Sequence, residues 1–372
     1  MTASPVLAPF VELLQAHGGH LRAAPDRRAL AATPPGYYAE ADRILALSLR
    51  ECGLSTLPNL FDQLTDLQHL DLTDNGLVVL PTTLGDLSNL TELLLDRNQL
   101  VALPASIGQL TQLTTLSAYH NALTTLPAEL WQLTALQTLN ISENRLTALP
   151  DGIGQLTDLQ MLDLGHNALA GLPSALGELQ ELRFLYMSDN GLTTLPASLA
   201  GLHNLRYLNF TDNRFTEIPT WIGALTQLIE LRAYHNALTM LPDGLGNLIS
   251  LRELHLHNNQ LTALPTTIGD LANLKKLILQ NNRLTTLPTS IGALSNLTVL
   301  DLRNNRLTAL PATLGNLAKL RELDLRGNAL VELPATLGEL PMLEKLDLRW
   351  NRLVALPTWV RHLEARGCVI YT

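Results

Sequence analysis

His255 and His257 are separated by one leucine, so a strand running through them turns both imidazoles to the same face. Imidazole is a ligand for zinc or copper, and it titrates near neutral pH. Glu230 and Glu253 stand 23 residues apart, the spacing of the repeat described below, and His235 falls at a neighbouring turn. Two histidines are only part of a metal-ligand set. Solvated or stacked rings are the plainer reading, with a zinc or copper site as its rival, and the expectation is no bound metal and no cofactor. The sequence has no phosphate-cradling glycine loop, no C-x-x-C pair, no H-E-x-x-H and no G-x-S-x-G. Serine–histidine or paired-carboxylate catalysis needs an enclosing pocket, which a broad strand face does not supply. The chain is read as non-enzymatic.

A second group of side chains has the chemistry of recognition. Counted back from Asn167, Asn190, Asn213, Asn236 and Asn259, three series stand two, four and six places earlier. The sixth-place series is Met161, Phe184, Tyr207, Glu230 and Glu253. The fourth-place series is Asp163, Tyr186, Asn209, Arg232 and His255. The second-place series is Gly165, Ser188, Thr211, Tyr234 and His257, and Tyr119 holds the same place in an earlier unit. Four of the seven tyrosines therefore fall in outward places, where no core needs filling. Aromatic and arginine side chains are the anchors that binding hot spots use. The sequence-level candidates for a partner-binding face are Tyr119, Met161, Phe184, Tyr186, Tyr207, Asn209, Glu230, Arg232, Tyr234, Glu253, His255 and His257. The alternative is cross-strand stacking that only stiffens the sheet. Tyr119-His120-Asn121-Ala122-Leu123 and Tyr234-His235-Asn236-Ala237-Leu238 match five units apart, which reads as block duplication or as two equivalent sub-sites.

Three later units carry Asp301/Arg303, Asp324/Arg326 and Asp347/Arg349 at outward places. An alternating lattice of this kind mostly neutralises itself. The rival reading is a secondary basic stripe, Arg303, Arg326 and Arg349, for an acidic partner. All four lysines, Lys275, Lys276, Lys319 and Lys345, lie in the same C-terminal part.

These side chains are positioned by one short unit copied many times. Asparagine recurs every 23 residues from Asn75 to Asn351, and Cys52 holds the place one period earlier, which makes fourteen units. Proline follows six residues after each Asn, as at Pro81, and glycine ten after it in most units, as at Gly85. Asp62, Trp131, Ala200 and Arg361 depart from the glycine pattern. Leu70 and Leu72 alternate with His69, Asp71 and Thr73, which is strand periodicity. After Pro81 the leucine spacing becomes three, through Leu84, Leu87 and Leu90, which suits a short α or 3-10 turn. Strands of successive units then stack in parallel about 4.8 Å apart. The Asn at the turn can bond backbone groups of its own coil and the next, forming a buried polar ladder. No unit buries enough to fold alone, so neighbours must supply the rest.

L-x-x-L-x-L-x-x-N-x-L resembles the leucine-rich repeat family, over about residues 40–372. The 23-residue form with L-P-x-x-[IL]-G-x-L is similar to the intracellular Ras-group-like and bacterial type, as in Scribble- and Erbin-type scaffolds and the arrays preceding Roco GTPase modules. The resemblance implies an α/β repeat solenoid, a right-handed horseshoe with a parallel β-sheet on the concave face and short helical or 3-10 turns on the convex face. It implies a protein-binding scaffold or adaptor acting through the concave face, and the sequence is read as having no GTPase, kinase or ubiquitin-ligase domain after the array, such as can follow it in relatives. The alternatives are an exported effector that binds a host protein, a glycan binder on the aromatic face, and a metal enzyme at His255 and His257.

The ends need caps, because a terminal unit exposes a leucine face. Residues 5–15 read as an amphipathic helix with Leu7, Phe10, Val11 and Leu14 on one side, ended by Gly18 and Gly19. Residues 37–44 read as a second helical piece, residues 359–363 as a last helical turn, and residues 368–371 as a closing strand. The organisation expected is a cap over residues 1–43, of which residues 1–36 are alternatively a docking or export segment, the array over 44–356, and a second cap over 357–372. Trp221 and Trp350 are expected at exposed or rim places, and Trp359 inside the cap. Leucine makes up roughly a quarter of the 372 residues, against 4% aromatic and 16% charged, with a net charge of −9. The acidic balance argues against a nucleic-acid partner. No apolar stretch reaches the ~18 residues of a membrane span, so no membrane insertion is expected. Residues 1–33 lack the layout of a secretory signal. Two cysteines make no disulfide framework. The expectation is a cytoplasmic monomer that binds a protein or peptide, with non-classical export as the alternative.

Overall fold

The outward places matter only if the strands repeat in register, and they do. The computed structural model describes residues 5–32, 34–41 and 43–372, without the side chain of Ala31. Residues 1–4, Thr33 and Asp42 lie outside the described residues, so the readings of residues 1–33 and 1–43 are followed only in part. The chain divides into two compact units, Met1–Leu185 and Tyr186–Thr372. The boundary falls within the strand Phe184–Tyr186.

In the N-terminal unit, Arg43–Ser48 pairs in parallel with His69–Asp71. Glu92–Leu94, Thr115–Ser117, Thr138–Asn140 and Met161–Asp163 follow in sequence order. Every register step is one period, as in Leu70 opposite Leu93 opposite Leu116. The C-terminal unit repeats the arrangement with Tyr207–Asn209, Glu230–Arg232, Glu253–His255, Lys276–Ile278, Val299–Asp301, Glu322–Asp324 and Lys345–Asp347. Each strand from His69–Asp71 to Lys345–Asp347 is three residues long with its central leucine fully buried, as Leu93 and Leu254 are. The return run after each proline is a five-residue 3-10 helix from Thr82–Asp86 to Ala335–Glu339. Pro81 sits extended at φ −67°, ψ 147°, and its carbonyl accepts from Leu84 N–H at 3.1 Å. A ring-locked φ and a missing N–H suit that corner. Both units are parallel-strand repeat solenoids with 3-10 returns.

Two side-chain series hold the coils together. The buried Asn98 donates through Nδ2 to Leu72 O at 2.9 Å and Leu95 O at 3.0 Å, and its Oδ1 accepts from Leu77 N–H at 3.1 Å. Asn282 and Asn305 repeat the pattern. The ladder therefore ties each coil to the preceding one, not to the next as the sequence reading had it. The turn faces back along the chain, so the carbonyl 26 residues earlier takes two amides, as Leu72 O does from Asn75 and Asn98. Cys52 has no amide to offer, and Asn75 Oδ1 takes both Cys52 N–H and Leu54 N–H, at 3.1 and 2.9 Å. The glycine series is a matter of space: a Cβ on Gly85 would stand 2.4 Å from Ser106 O in the next coil. Trp131 fills that slot and is 5% exposed, because Gly152 one unit later leaves room for its indole.

One feature has no period signal in residue type. The residue before each repeat Asn is left-handed, at φ 55° for Asp74, 53° for Arg97, 54° for His120 and 52° for His235. This sharp corner lifts its side chain onto a ridge beside the strand face.

At the N-terminal end, α1 (Ala8–Ala16) follows a 3-10 turn (Pro5–Leu7) and buries Leu7, Phe10 and Leu14. Phe10 meets Phe61 with ring centroids 5.5 Å apart. Gly18 is left-handed at φ 75°, and Gly19 N–H returns to Leu14 O at 2.8 Å, which closes the helix. The helix expected over residues 37–44 is absent. Gly36–Glu40 and Arg43–Ser48 instead form an antiparallel pair with a bulge at Tyr38 and Ala39. Tyr37, Ile44, Leu45 and Leu47 all bury, and strand pairing satisfies backbone groups that a lone helical turn would leave open. A short helix, α2 (Arg27–Ala32), precedes that pair and was not anticipated. At the other end, α3 (Trp359–Ala365) buries Val360 and Leu363, and Val369–Tyr371 pairs with Lys345–Asp347. Trp350 is 72% exposed, while Trp221 and Trp359 are half-buried.

Candidate binding face

The period places Tyr207, Glu230, Glu253 and Lys276 side by side, and Asn209, Arg232, His255 and Ile278 in the adjoining row. In the C-terminal unit these rows bring most of the expected residues into one cluster. The Tyr186 and Tyr207 rings lie 4.7 Å apart, and the Arg232 guanidinium stands 5.6 Å from the Tyr207 ring centroid. That is cation–π range. Arg232 Nε also donates to Glu230 Oε1 at 2.5 Å, which fixes the guanidinium beside the ring. Burial pushes the Tyr207 hydroxyl up to about 12.

Tyr234 and His257 stack with centroids 4.1 Å apart and planes 15° from parallel. His235, on the ridge, meets both edge-on at 5.3 and 5.8 Å, and its Nδ1 lies 2.7 Å from Asp212 Oδ1. Burial, together with the charges of His235, His255 and Arg303, lowers His257 to about 4. The ring is neutral at physiological pH, and its buried Nδ1 has no hydrogen-bond partner among the described residues.

His255 and His257 do not converge. His255 turns to the carboxylates, with Nε2 3.1 Å from Glu253 and 3.9 Å from Glu230. Glu230, Glu253 and His255 are close enough to share an ion. Two cations already occupy them: Arg232 on Glu230, and Lys276 Nζ on Glu253 at 2.9 Å. Burial of Glu253 opposes its ionisation, but hydrogen bonds from Lys276 and His255 outweigh this and hold the carboxyl below its usual value. A divalent ion entering here would meet both positive charges, so the trio reads as an ion-pair network.

Asn209 does not belong to the open surface. It is 9% exposed, and its Oδ1 accepts from Thr211 N–H at 3.1 Å. In the N-terminal unit, Met161 is half-buried and Phe184 is 39% exposed. Tyr119 there is held by Glu143, Oη to Oε1 at 3.0 Å, with Arg97 5.6 Å from its ring. The matching motif at Tyr234 has different neighbours: His120 bonds Glu143, whereas His235 bonds Asp212. Equal sequence motifs therefore sit in unequal surroundings. His235 and the left-handed ridge were not among the expected site residues, and nothing in spacing alone marks the ridge.

The later units form the charge lattice. Asp301–Arg303, Asp324–Arg326 and Asp347–Arg349 pair at 3.3, 2.9 and 2.5 Å, and Arg326 reaches Asp347 at 3.7 Å. Arg349 also lies 4.8 Å from the Tyr371 ring. Burial raises Asp301 to about 6. No helix among the described residues is long and apolar enough to cross a membrane.

A family model described as a leucine-rich repeat region matches residues 43–146 and 173–277. A second leucine-rich repeat model matches residues 134–192, 272–330 and 295–353. A leucine-rich repeat protein of Leptospira interrogans is 38% identical, with a TM-score of 0.83 over 88% of this chain and 84% of that one. The ectodomain of the Arabidopsis thaliana receptor kinase GASSHO1/SCHENGEN3, solved with CASPARIAN STRIP INTEGRITY FACTOR 2, is 34% identical with a TM-score of 0.66, over 87% of this chain and 42% of that one. The Arabidopsis receptor kinase HAESA, solved with the peptide hormone IDA and a co-receptor, is 31% identical with a TM-score of 0.71, over 85% of this chain and 56% of that one. No curated protein matches the chain.

Proposed function

Because the chain belongs to the leucine-rich repeat family, we propose that it is a non-enzymatic scaffold or adaptor whose strand face holds a protein or peptide. The observation that carries this reading is the ring cluster of the C-terminal unit. On the outward face, away from the leucine core, Tyr186 packs on Tyr207 and Tyr234 stacks on His257, and Arg232 is clamped among them by Glu230. Rings already held in place lose little freedom on binding, and a clamped guanidinium adds a directional donor. Tyr119, Met161 and Phe184 of the N-terminal unit are taken as further contact residues. The similar receptor HAESA was solved with a peptide hormone, which supports a peptide or an extended protein segment as the partner class.

The unbroken 23-residue period favours the intracellular type of array, and both Cys52 and Cys368 are free thiols, which supports a cytoplasmic monomer. Residues 1–43 and 357–372 are assigned as caps, on the buried faces of α1 and α3.

The test is a quantitative pull-down from native lysate with wild type and the Tyr186→Ala/Tyr207→Ala/Tyr234→Ala variant, both matched for melting by circular dichroism. A protein or peptide enriched by wild type should weaken about 100-fold or more with the variant, the loss of several anchors. Equal capture by both would sink the assignment of this face.

A further inference from the structure

Helix α2 lies over the first strands of the N-terminal unit and leaves a chamber of about 290 Å³ between itself and the strands Arg43–Ser48, His69–Asp71 and Glu92–Leu94. That is near the lower end of the range for small-ligand pockets. Leu30 of the helix, with Ala46, Leu47 and Leu94 of the strands, gives it an apolar wall. Its polar lining is balanced in charge, with Arg27 and Arg28 on the helix and Asp71 and Glu92 on the strands.

His69 is the informative residue. Its side chain is 16% exposed, and Nδ1 lies 2.5 Å from Glu92 Oε2. A carboxylate only accepts, so Nδ1 carries the hydrogen, and in the neutral ring Nε2 is left with a lone pair. That atom is buried and has no partner among the described residues. A buried acceptor without a donor is costly, and a bound ligand is one way to satisfy it. Asp71 Oδ1 already accepts from Thr73 N–H at 3.0 Å, while Ser48 Oγ reaches Oδ2 only at 3.3 Å. Arg27 stands 4.0 Å from Glu92, and Arg28 is exposed at the rim.

We propose that this chamber is a binding site for a free α-amino acid with an apolar side chain, separate from the partner-binding face. The ligand ammonium donates to His69 Nε2 and faces the Asp71 and Glu92 carboxylates. Its carboxylate meets Arg27 and Arg28, and its side chain packs on Leu30, Leu47 and Leu94. An amine alone would leave the arginines unmatched, and a carboxylate alone would leave Nε2 and the acidic pair unmatched.

Calorimetric titration of the full chain with L-leucine, isoamylamine and 4-methylvalerate tests this. L-Leucine is expected to saturate one site per chain, with each half-ligand about tenfold or more weaker, the worth of one charge-assisted contact. The His69→Phe variant should abolish binding. The rim variant Arg28→Ala leaves the core untouched and should bind L-leucine about fivefold or more weakly at an unchanged melting temperature. In wild type, the His69 Nε2 nitrogen resonance should move on saturation, a readout that needs no variant. The Tyr186→Ala/Tyr207→Ala/Tyr234→Ala protein should still bind L-leucine, so failure of the face reading and failure of this one are distinguishable. Absence of saturable L-leucine binding, a half-ligand that binds as well, or wild-type affinity in His69→Phe or Arg28→Ala overturns the proposal.

Discussion

Two regions of the C-terminal unit use the same outward strand places for different ends. Around Tyr186 to His257 the places hold rings, a clamped arginine and a neutral histidine. Around Asp301 to Arg349 they hold alternating carboxylates and guanidiniums that pair with one another, with Arg326 Nε left without a hydrogen bond among the described residues. The second region has little left to gain from a partner, since any acidic ligand must first displace Asp301, Asp324 or Asp347. The first still offers ring faces and the unpartnered Nδ1 of His257. Ring faces beside a neutral histidine on one side, and paired opposite charges on the other, are what separate the two regions.

The comparison is broken most directly by exchanging which region is stripped. Arg303→Ala/Arg326→Ala/Arg349→Ala should change partner affinity less than about threefold in the same pull-down, against the ~100-fold effect of the tyrosine variant. A comparable loss from both would show that the lattice is a contact surface too.

A stability measurement separates them in the opposite sense. Asp347 is 1% exposed and takes two hydrogen bonds from the Arg349 side chain. Its burial opposes ionisation, but the hydrogen bonds from Arg349 outweigh that and hold the carboxyl below its usual range. Asp347→Ala leaves Arg349 and Arg326 without their shared partner, and urea unfolding should show a loss of about 2–4 kcal/mol. Tyr234→Ala, on the outward face and outside the leucine core, should cost less than about 1.5 kcal/mol. The reverse order would mean that the rings, not the lattice, hold the sheet.

pH sharpens the contrast further. His257 is at about 4 in the folded chain against an ordinary 6.5, so the unfolded chain binds the extra proton between those values. Its contribution is present above about 6.5 and is lost as pH falls towards about 4. Asp301 is at about 6 against an ordinary 3.8, so here the folded chain binds the extra proton. Its contribution is full below about 3.8 and is lost as pH rises through about 6. Relative to wild type, His257→Phe should lose stability with rising pH over that window, and Asp301→Asn should gain it. Each change is on the order of 1–2 kcal/mol after allowance for partial solvent screening. Melting curves at pH 4 and pH 6.5 check both, and slopes of the same sign would contradict the burial assigned to one of the two groups.

The smallest effect is that of salt. Raising ionic strength from 0.1 to 0.5 M should move the melting temperature by only about one or two degrees, because exposed pairs are weak and the half-buried ones are poorly screened. A large drop would mean that the lattice carries far more of the fold than its geometry indicates.

How legible the molecule was depends on whether a position repeats. Leu70, Leu93 and Leu116, the turn after Pro81 and the close approach at Gly85 are readable because every coil meets the same neighbours at the same offset. Residues 37–44 have no period to follow, and local spacing suggested a helix where two strands pair. The site was legible as a set of places: Tyr186, Tyr207, Arg232, Tyr234 and His257 do come together. It was not legible as a set of partners. Asn209 turned to Thr211 N–H, His255 turned to Glu253, and His235 joined from a ridge that residue type does not announce.

The sequence by itself determined the coil. Strand, corner, 3-10 return, leucine core and asparagine ladder all follow from a 23-residue spacing, because in a one-dimensional stack the packing of one unit is the packing of all. Only the tertiary structure decided the direction of the ladder, the stack of Tyr234 on His257, the hold of Arg232 between Glu230 and Tyr207, and the chamber under α2. Those depend on side-chain rotamers and on segments outside the period, where each contact is made once and nothing along the chain repeats it.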